Sequence, residues 1–258
     1  MPARATMPPG APIWNDLGTS DVPRSVAFYG ELFGWEFRDF GEEFGHYGVL
    51  THRGAAVAGL GPLMAEGQPV VWSVYLYAPD VADTLARARA AGAEVMVDAM
   101  AIPGQGVMAM VGDPSGAAVG LWEPAGMAGF EVADEPGTPV WHELLTRDID
   151  AALPFYEGVM GWTTRVESDA PGFRYLVQES GGQELAGLMD ASTVLPEGIP
   201  SYWGVYFGVE DADAAAERVV ALGGSVLQGP LDSAHGRVAV VADPLGATFS
   251  VITPVART

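Results

Sequence analysis

Apolar residues recur along this chain with two alternating periods, and the alternation predicts a word of one strand, one helix and three strands. Residues 13–19, Ile-Trp-Asn-Asp-Leu-Gly-Thr, read as an extended strand. Asp21 then stands at a helix N-cap, and Val22, Val26, Phe28, Tyr29 and Leu32 give that helix an apolar side until Gly34 ends it. Strands are predicted over roughly 35–39, 45–51 and 55–61, with Gly41, Gly45 and Gly54 at or near the turns. The word repeats at once. VVWSVYLYA reads as a strand, Asp80 caps the helix VADTLARARAAG, Gly92 closes it, and strands follow near 94–97, 106–112 and 117–123.

A larger repeat overlies this one, at an offset of about half the chain. WNDLGTSDVPRSVAFYGELFGW from Trp14 matches WHELLTRDIDAALPFYEGVMGW from Trp141, with Trp, Thr, Asp, Phe-Tyr and Gly-Trp in step. In the same order, WSVY from Trp72 answers WGVY from Trp203, AGL from Ala58 answers AGL from Ala186, and DPSG from Asp113 answers DPLG from Asp243. Between the copies, PAGMAGFEVADEPGTP is rich in Pro and Gly and aperiodic, as a linker is. The expected organisation is a flexible tail over 1–11, one domain over 12–124, a linker over 125–138 and a second domain over 139–258, each domain carrying the βαβββ word twice.

Composition narrows the chemistry. With no cysteine, disulfides, thiolate nucleophiles and Cys-ligated zinc or iron–sulfur sites are excluded. Twelve arginines, no lysine and 33 acidic residues give a formal charge of −21, which repels nucleic acid and anionic lipid and favours cationic small molecules. No apolar run approaches the ~18–20 residues that span a bilayer, and MPARATMPPGAP lacks the apolar core of a signal peptide, so a cytoplasmic protein without membrane partners is expected.

DVPRSVAFYGELFGW and DIDAALPFYEGVMGW after a first strand, DVADTLARARAAGAEV and DADAAAERVVALGGSV after a fifth, and DPSGAAVGLWEP and DPLGATFSVITP at the end resemble the vicinal oxygen chelate superfamily. That superfamily includes glyoxalase I, extradiol dioxygenases and bleomycin-resistance proteins. Trp-x-Asp/Glu-Leu openings with GHYG and AGL segments resemble its two-domain actinobacterial members, described as glyoxalase-like antigens or as hydroxylases and accessory proteins of aromatic polyketide antibiotic pathways. The resemblance implies an α+β fold of tandem glyoxalase-like domains, each of two βαβββ modules whose curved mixed sheets enclose a cavity.

In enzymes of that superfamily a divalent ion is held from the first, fifth and eighth strands. The resemblance places those positions at Trp14, Ser73 and Gly120 in one copy and at Trp141, Gly204 and Ser250 in the other. Indole, hydroxyl and glycine backbone are not the imidazole and carboxylate donors such an ion needs, so neither a metal nor another cofactor is expected. Exchanging half-domains between the copies changes nothing, since every pairing draws on the same six residues. A register one residue later would bring in His142, but it would also turn that strand's other inward residues outward, and His142 is read as facing the helix. His46, His52 and His235 are read as loop or strand-end residues.

On the face of Trp14 lie Asp16 and Gly18, and on that of Trp141 lie Glu143 and Leu145. Ser73 shares a face with Tyr75 and Tyr77, and Gly204 with Tyr206; Trp122, Ser250, Tyr47 and Tyr175 complete the expected lining. Such residues suit a flat, hydrophobic or aromatic small molecule, with Asp16 or Glu143 accepting a hydroxyl or pairing with an amine. The other reading of the tryptophans is that they fill the sheet interior. Two functions follow: sequestration of an antibiotic or biosynthetic intermediate, in resistance or pathway assistance, or a metal-independent lyase, isomerase or hydroxylase-type enzyme with Asp16 or Glu143 as general base. Met96, Met100, Met108 and Met110 read as adaptable core that, on reaching a cavity, would favour a promiscuous fit. The chain is expected to act as a monomer or a homodimer.

Overall fold

The computed structural model describes residues 7–170 and 172–254. Four β-α-β-β-β words follow one another. The first is β1 (Pro12–Thr19), α1 (Val22–Phe33), β2 (Trp35–Asp39), β3 (Gly48–His52) and β4 (Ala55–Pro62). The second is β5 (Val71–Tyr77), α2 (Val81–Ala90), β6 (Glu94–Ile102), β7 (Gly106–Gly112) and β8 (Ala118–Pro124). The third is β9 (Pro139–Thr146), α3 (Ile149–Met160), β10 (Thr163–Ala170), β11 (Phe173–Ser180) and β12 (Gln183–Asp190). The fourth is β13 (Tyr202–Gly208), α4 (Ala212–Ala221), β14 (Ser225–Ser233), β15 (Gly236–Ala242) and β16 (Thr248–Pro254).

Each helix starts where an aspartate satisfies N–H groups that have no partner inside the helix. Asp21 accepts from Arg24 N at 3.0 Å, Asp80 from Asp83 N at 2.8 Å, Asp148 from Ala151 N at 3.0 Å and Asp211 from Ala214 N at 3.0 Å. Gly34 and Gly161 end α1 and α3 at φ +71°, a conformation that glycine adopts without steric cost. Two strand boundaries differ from the sequence reading. Residues 45–47 are not in β3: Glu42–Phe44 form a 3₁₀ turn, and the strand begins at Gly48. The strand expected near 94–97 runs on to Ile102 through two register shifts.

The chain packs as two compact units, each drawn from both sequence repeats. The first unit is Met1–Trp14, Val74–Gly129 and His142–Trp203; the second is Asn15–Ser73, Phe130–Trp141 and Gly204–Thr258. In the second unit the hydrogen-bonded strand orders are β2-β3-β4-β1 and β13-β16-β15-β14, and in the first they are β5-β8-β7-β6 and β10-β11-β12-β9. The sets are mixed, because β1/β4, β5/β8, β9/β12 and β13/β16 run parallel and the other pairs antiparallel.

One latch, made twice, holds the halves of each unit. In the second unit the Tyr29 hydroxyl donates to Asp243 Oδ2 at 3.1 Å and accepts from Trp72 Nε1 at 3.0 Å. In the first unit the Tyr156 hydroxyl donates to Asp113 Oδ2 at 2.8 Å and accepts from Trp203 Nε1 at 2.9 Å. The DPxG aspartate of each repeat therefore holds the helix tyrosine of the other. Its Oδ1 meanwhile fixes its own turn, accepting from Ser115 and Ala117 N in one case and from Leu245 and Ala247 N in the other. Buried hydrogen bonds to a charged acceptor are worth about 1.5–3 kcal/mol each. Burial first, then the neighbouring aspartate, pushes both tyrosine hydroxyls well above the ordinary phenol range. Around Tyr29 the rings of Phe28, Phe33, Trp35, Trp72 and Phe249 pack at centroid separations of 4.9–6.3 Å.

Residues 1–6 of the expected tail lie outside the described residues. The rest of it is held: Gly10 N donates to Tyr77 O at 2.8 Å, Trp162 Nε1 donates to Gly10 O at 3.0 Å, and Ala11 is fully buried. The linker is held too. Glu131 exchanges hydrogen bonds with Ala56, and Phe130, Ala133 and Thr138 are buried.

Candidate functional site

Strand alternation separates a core-facing side of β1, with Ile13, Asn15, Leu17 and Thr19 all buried, from a side that carries Trp14, Asp16 and Gly18. On that second side Asp16 stands opposite Gly59, and Tyr47, just before β3, donates its hydroxyl to Asp16 Oδ1 at 2.7 Å. The glycine is required. A Cβ built on Gly59 would lie 2.0 Å from both Asp16 Oδ1 and the Tyr47 hydroxyl, and one on Gly61 would lie 3.1 Å from the Tyr47 ring. Three motifs that look unrelated in the sequence, Trp-x-Asp, GHYG and AGL, thus build one feature of the second unit.

The first unit carries the matching arrangement. Glu143 stands opposite Gly187 and is 6% exposed, with Tyr175 on the neighbouring strand. The registers agree row for row: Arg38–Val49–Gly59–Asp16 across β2, β3, β4 and β1, and Arg165–Val177–Gly187–Glu143 across β10, β11, β12 and β9. Arg165 pairs with Glu167, Glu179 and Glu184. Tyr202 belongs here as well, because burial and then the charge of Glu143 raise its hydroxyl above the usual range. The arginines and Tyr202 went unread in the sequence. Each arginine lies three residues after a Gly-Trp pair, so aligning the repeats beyond their motifs would have found Arg38 and Arg165; Tyr202 has Val71 as its counterpart and left no such signal.

A second surface in each unit follows from register, since cross-strand partners share a face. In the first unit the rows are Tyr75–Gly120–Met110–Val97 and Tyr77–Trp122–Met108–Met100. Here Tyr75 lies flat over Gly120, where a Cβ would come within 2.2 Å of the ring, and Trp122 lies over Gly106, where a Cβ would come within 2.6 Å. Trp122 Nε1 donates to Met127 O at 2.9 Å. In the second unit the rows are Tyr206–Ser250–Val240–Gln228 and Gly208–Ile252–Val238–Leu231. The methionines are not core, contrary to the sequence reading: Met108 and Met110 are half-buried, Met100 is 39% exposed and Met96 is 56% exposed. They sit on β6 and β7 on the ring-bearing side, while Ala109 and Val111 take the core side.

Of the lining residues read from the sequence, Trp14, Tyr75, Trp122, Glu143, Tyr175 and Ser250 are buried, and Asp16, Tyr47, Ser73, Trp141 and Tyr206 are half-buried. Trp35, Trp72, Trp162 and Trp203 are core residues. His142 is buried on the face of Leu144, opposite Glu143. His46 lies in a loop beside Asp39, His52 ends β3 against Gly137, and His235 sits between β14 and β15.

The positions where the superfamily's enzymes hold a divalent ion do not fit one here. The space at Gly120 that a glutamate would use belongs to the Tyr75 ring, Ser250 stands opposite Tyr206, and β1 and β9 offer indoles. Among the described residues no three His, Cys, Asp or Glu side chains form a cluster able to hold an ion. A shallow cavity of about 370 Å³ between α2 and α3 of the first unit, lined by Pro9, Thr84, Arg87 and Met160, lies away from all these rows. No helix among the described residues is long and apolar enough to cross a membrane.

Comparison with known proteins agrees with this architecture. The family model described as Glyoxalase/Bleomycin resistance protein/Dioxygenase superfamily matches residues 14–121 and 138–251. The chain is 40% identical to a putative glyoxylase, CFP32, of Mycobacterium bovis, over 98% of each chain. It is 37% identical to the anthracycline biosynthesis protein DnrV of Streptomyces peucetius, over 95% of this chain and 93% of that one. Among solved structures, the fold is similar to a Mn(II)-bound glyoxalase from Novosphingobium aromaticivorans (TM-score 0.64, 19% identity, 96% and 83% coverage). It is also similar to the 2,3-dioxygenase LapB from Pseudomonas sp. KL28 (TM-score 0.65, 13% identity, 96% and 93% coverage).

Proposed function

The chain belongs to the Glyoxalase/Bleomycin resistance protein/Dioxygenase superfamily, and from that premise we propose that it is a metal-independent member that binds a flat, hydrophobic or aromatic small molecule. The observation that carries this reading is the ring-and-thioether surface of the first unit, where Tyr75, Tyr77, Trp122, Met108 and Met100 line up across four strands. Aromatic rings bury about 150–250 Å² each and stack with roughly 0.5–1.5 kcal/mol beyond that burial, and thioethers adapt to irregular shapes. Relatives named for anthracycline biosynthesis support an antibiotic or a biosynthetic intermediate as the ligand. The role is then sequestration, resistance or pathway assistance, in a cytoplasmic protein. Asp16 and Glu143 add a negative acceptor for a hydroxyl or an amine.

The test is a fluorescence titration with a flat aromatic hydrocarbon such as phenanthrene. Quenching of tryptophan emission is expected, weakened by Trp14→Ala and by Trp141→Ala; unaltered binding in both variants removes these indoles from the site. A second reading rests on Glu143, a carboxylate buried on an apolar strand beside Tyr202. Burial favours the neutral form of a carboxyl group and poises it for proton abstraction. Turnover that persists with chelator and disappears in Glu143→Gln or Asp16→Asn distinguishes this enzyme from a binding protein.

A further inference from the structure

We propose that Tyr47 is a built-in occupant of the Asp16 acceptor, and that the group it stands in for is the phenolic hydroxyl of the bound ligand. The inference rests on the ring-binding reading and specifies which rings are selected. Its basis lies wholly in the second unit.

The phenol of Tyr47 reaches Asp16 Oδ1 at 2.7 Å across a bed kept open by two glycines of β4. Glycine inside a strand costs about 0.5–1 kcal/mol relative to alanine, so the bed has a stability cost that the enclosed pair must justify. Tyr47 is also the last residue of a loop, residues 40–47, that the other repeat lacks: there β10 ends at Ala170 and β11 begins at Phe173. In this loop Gly41 and Gly45 have φ of +87° and +60°, with nothing within 4 Å of where their Cβ atoms would stand. Its base is tied by Asp39, which accepts from Gly41 N at 2.7 Å and pairs with His46 Nδ1 at 3.0 Å. Phe40 N donates to Tyr47 O at 3.0 Å, so the backbone is anchored independently of the side chain. The Tyr47 side chain therefore rotates away without unfolding β3. Phe40, 6.2 Å from the Tyr47 ring and under the Arg38 guanidinium at 5.3 Å, offers the displaced ring an aromatic neighbour.

The chemistry selects the ligand. Replacing one phenol by another at a carboxylate leaves the number and type of hydrogen bonds unchanged, so the stacking of the incoming ring decides the exchange. A hydrocarbon offers no donor and leaves Tyr47 in place. A carboxylic acid is repelled by Asp16. Hydroxylated aromatics are the class that fits.

The experiment compares phenanthrene with 9-phenanthrol by fluorescence titration of the full chain, with fluorine NMR of 3-fluorotyrosine placed at position 47. Tyr47→Phe is expected to raise the affinity for 9-phenanthrol about tenfold and to leave phenanthrene within about twofold, with Asp16→Asn abolishing the preference. The fluorine signal is expected to shift with the phenol and not with the hydrocarbon. If phenanthrene binds but Tyr47→Phe leaves 9-phenanthrol affinity unchanged or lower, the exchange is overturned and ring binding stands. If neither probe binds any form of the protein, both readings fall.

Discussion

The ring-bearing surface of the first unit and its counterpart in the second share strand order and register and differ in what they present. Tyr77, Trp122, Met108 and Met110 on one correspond to Gly208, Ile252, Val238 and Val240 on the other. Even the shared tyrosine differs in setting, because Tyr75 lies over Gly120 whereas Tyr206 faces Ser250, whose side chain denies it the same bed. The carboxylate rows show no such divergence: Arg–Val–Gly–Asp in one repeat is Arg–Val–Gly–Glu in the other. Duplication has kept the polar anchor and the latches and changed the surface that a ligand's shape would touch. Selectivity for flat rings therefore belongs to the first unit's surface.

The largest effect is expected where the two halves are alike. Asp113→Ala and Asp243→Ala each remove a turn anchor and the acceptor of a buried tyrosine, and each should cost about 3–5 kcal/mol in urea denaturation. Unequal costs would mean that the latches are not equivalent. Next comes the surface itself. Tyr75→Ala with Trp122→Ala should weaken phenanthrene binding about 30-fold, and Tyr206→Ala with Ile252→Ala less than about threefold. Gly120→Ser, which copies the second repeat's residue into the first, should lift the Tyr75 ring and cost about tenfold in affinity with folding retained; Ser250→Gly should leave binding unchanged.

The smallest effect is on pH dependence. Tyr29 and Tyr156 hold their protons in the folded state beyond the ordinary tyrosine value of about 10, so above that pH the native chain binds more protons than the unfolded one. Their contribution is complete below about pH 10 and is lost as pH rises toward the folded values. Denaturation curves should show stability falling from pH 10 upward in the wild type and falling less in Tyr29→Phe with Tyr156→Phe; identical slopes would contradict the assignment.

Much of this architecture was legible in the sequence because it is written in periodicities and caps. The four N-cap aspartates, the glycine stops and the repeat offset each have a local cause, and each predicted helix is present. The exchange of halves was not legible, because Tyr29 and Asp243 meet through tertiary packing that no short window records. Asp16 and Tyr47 were singled out by strand alternation and by motif, but their hydrogen bond depends on Gly59, whose role appears only once β1 and β4 are in register. The methionines were misjudged for a related reason. Apolar content alone does not tell which side of β6 and β7 faces the core, and two register shifts in β6 obscure its alternation.

The central claim is that ring contacts in the first unit bind the ligand without an ion. Its most direct test is calorimetric titration of chelator-treated protein with phenanthrene, in wild type and in the Tyr75→Ala, Trp122→Ala double variant. The account predicts saturable binding that chelation leaves intact and the double variant loses. Binding that appears only after manganese(II) is added, or that survives in the double variant, would contradict it.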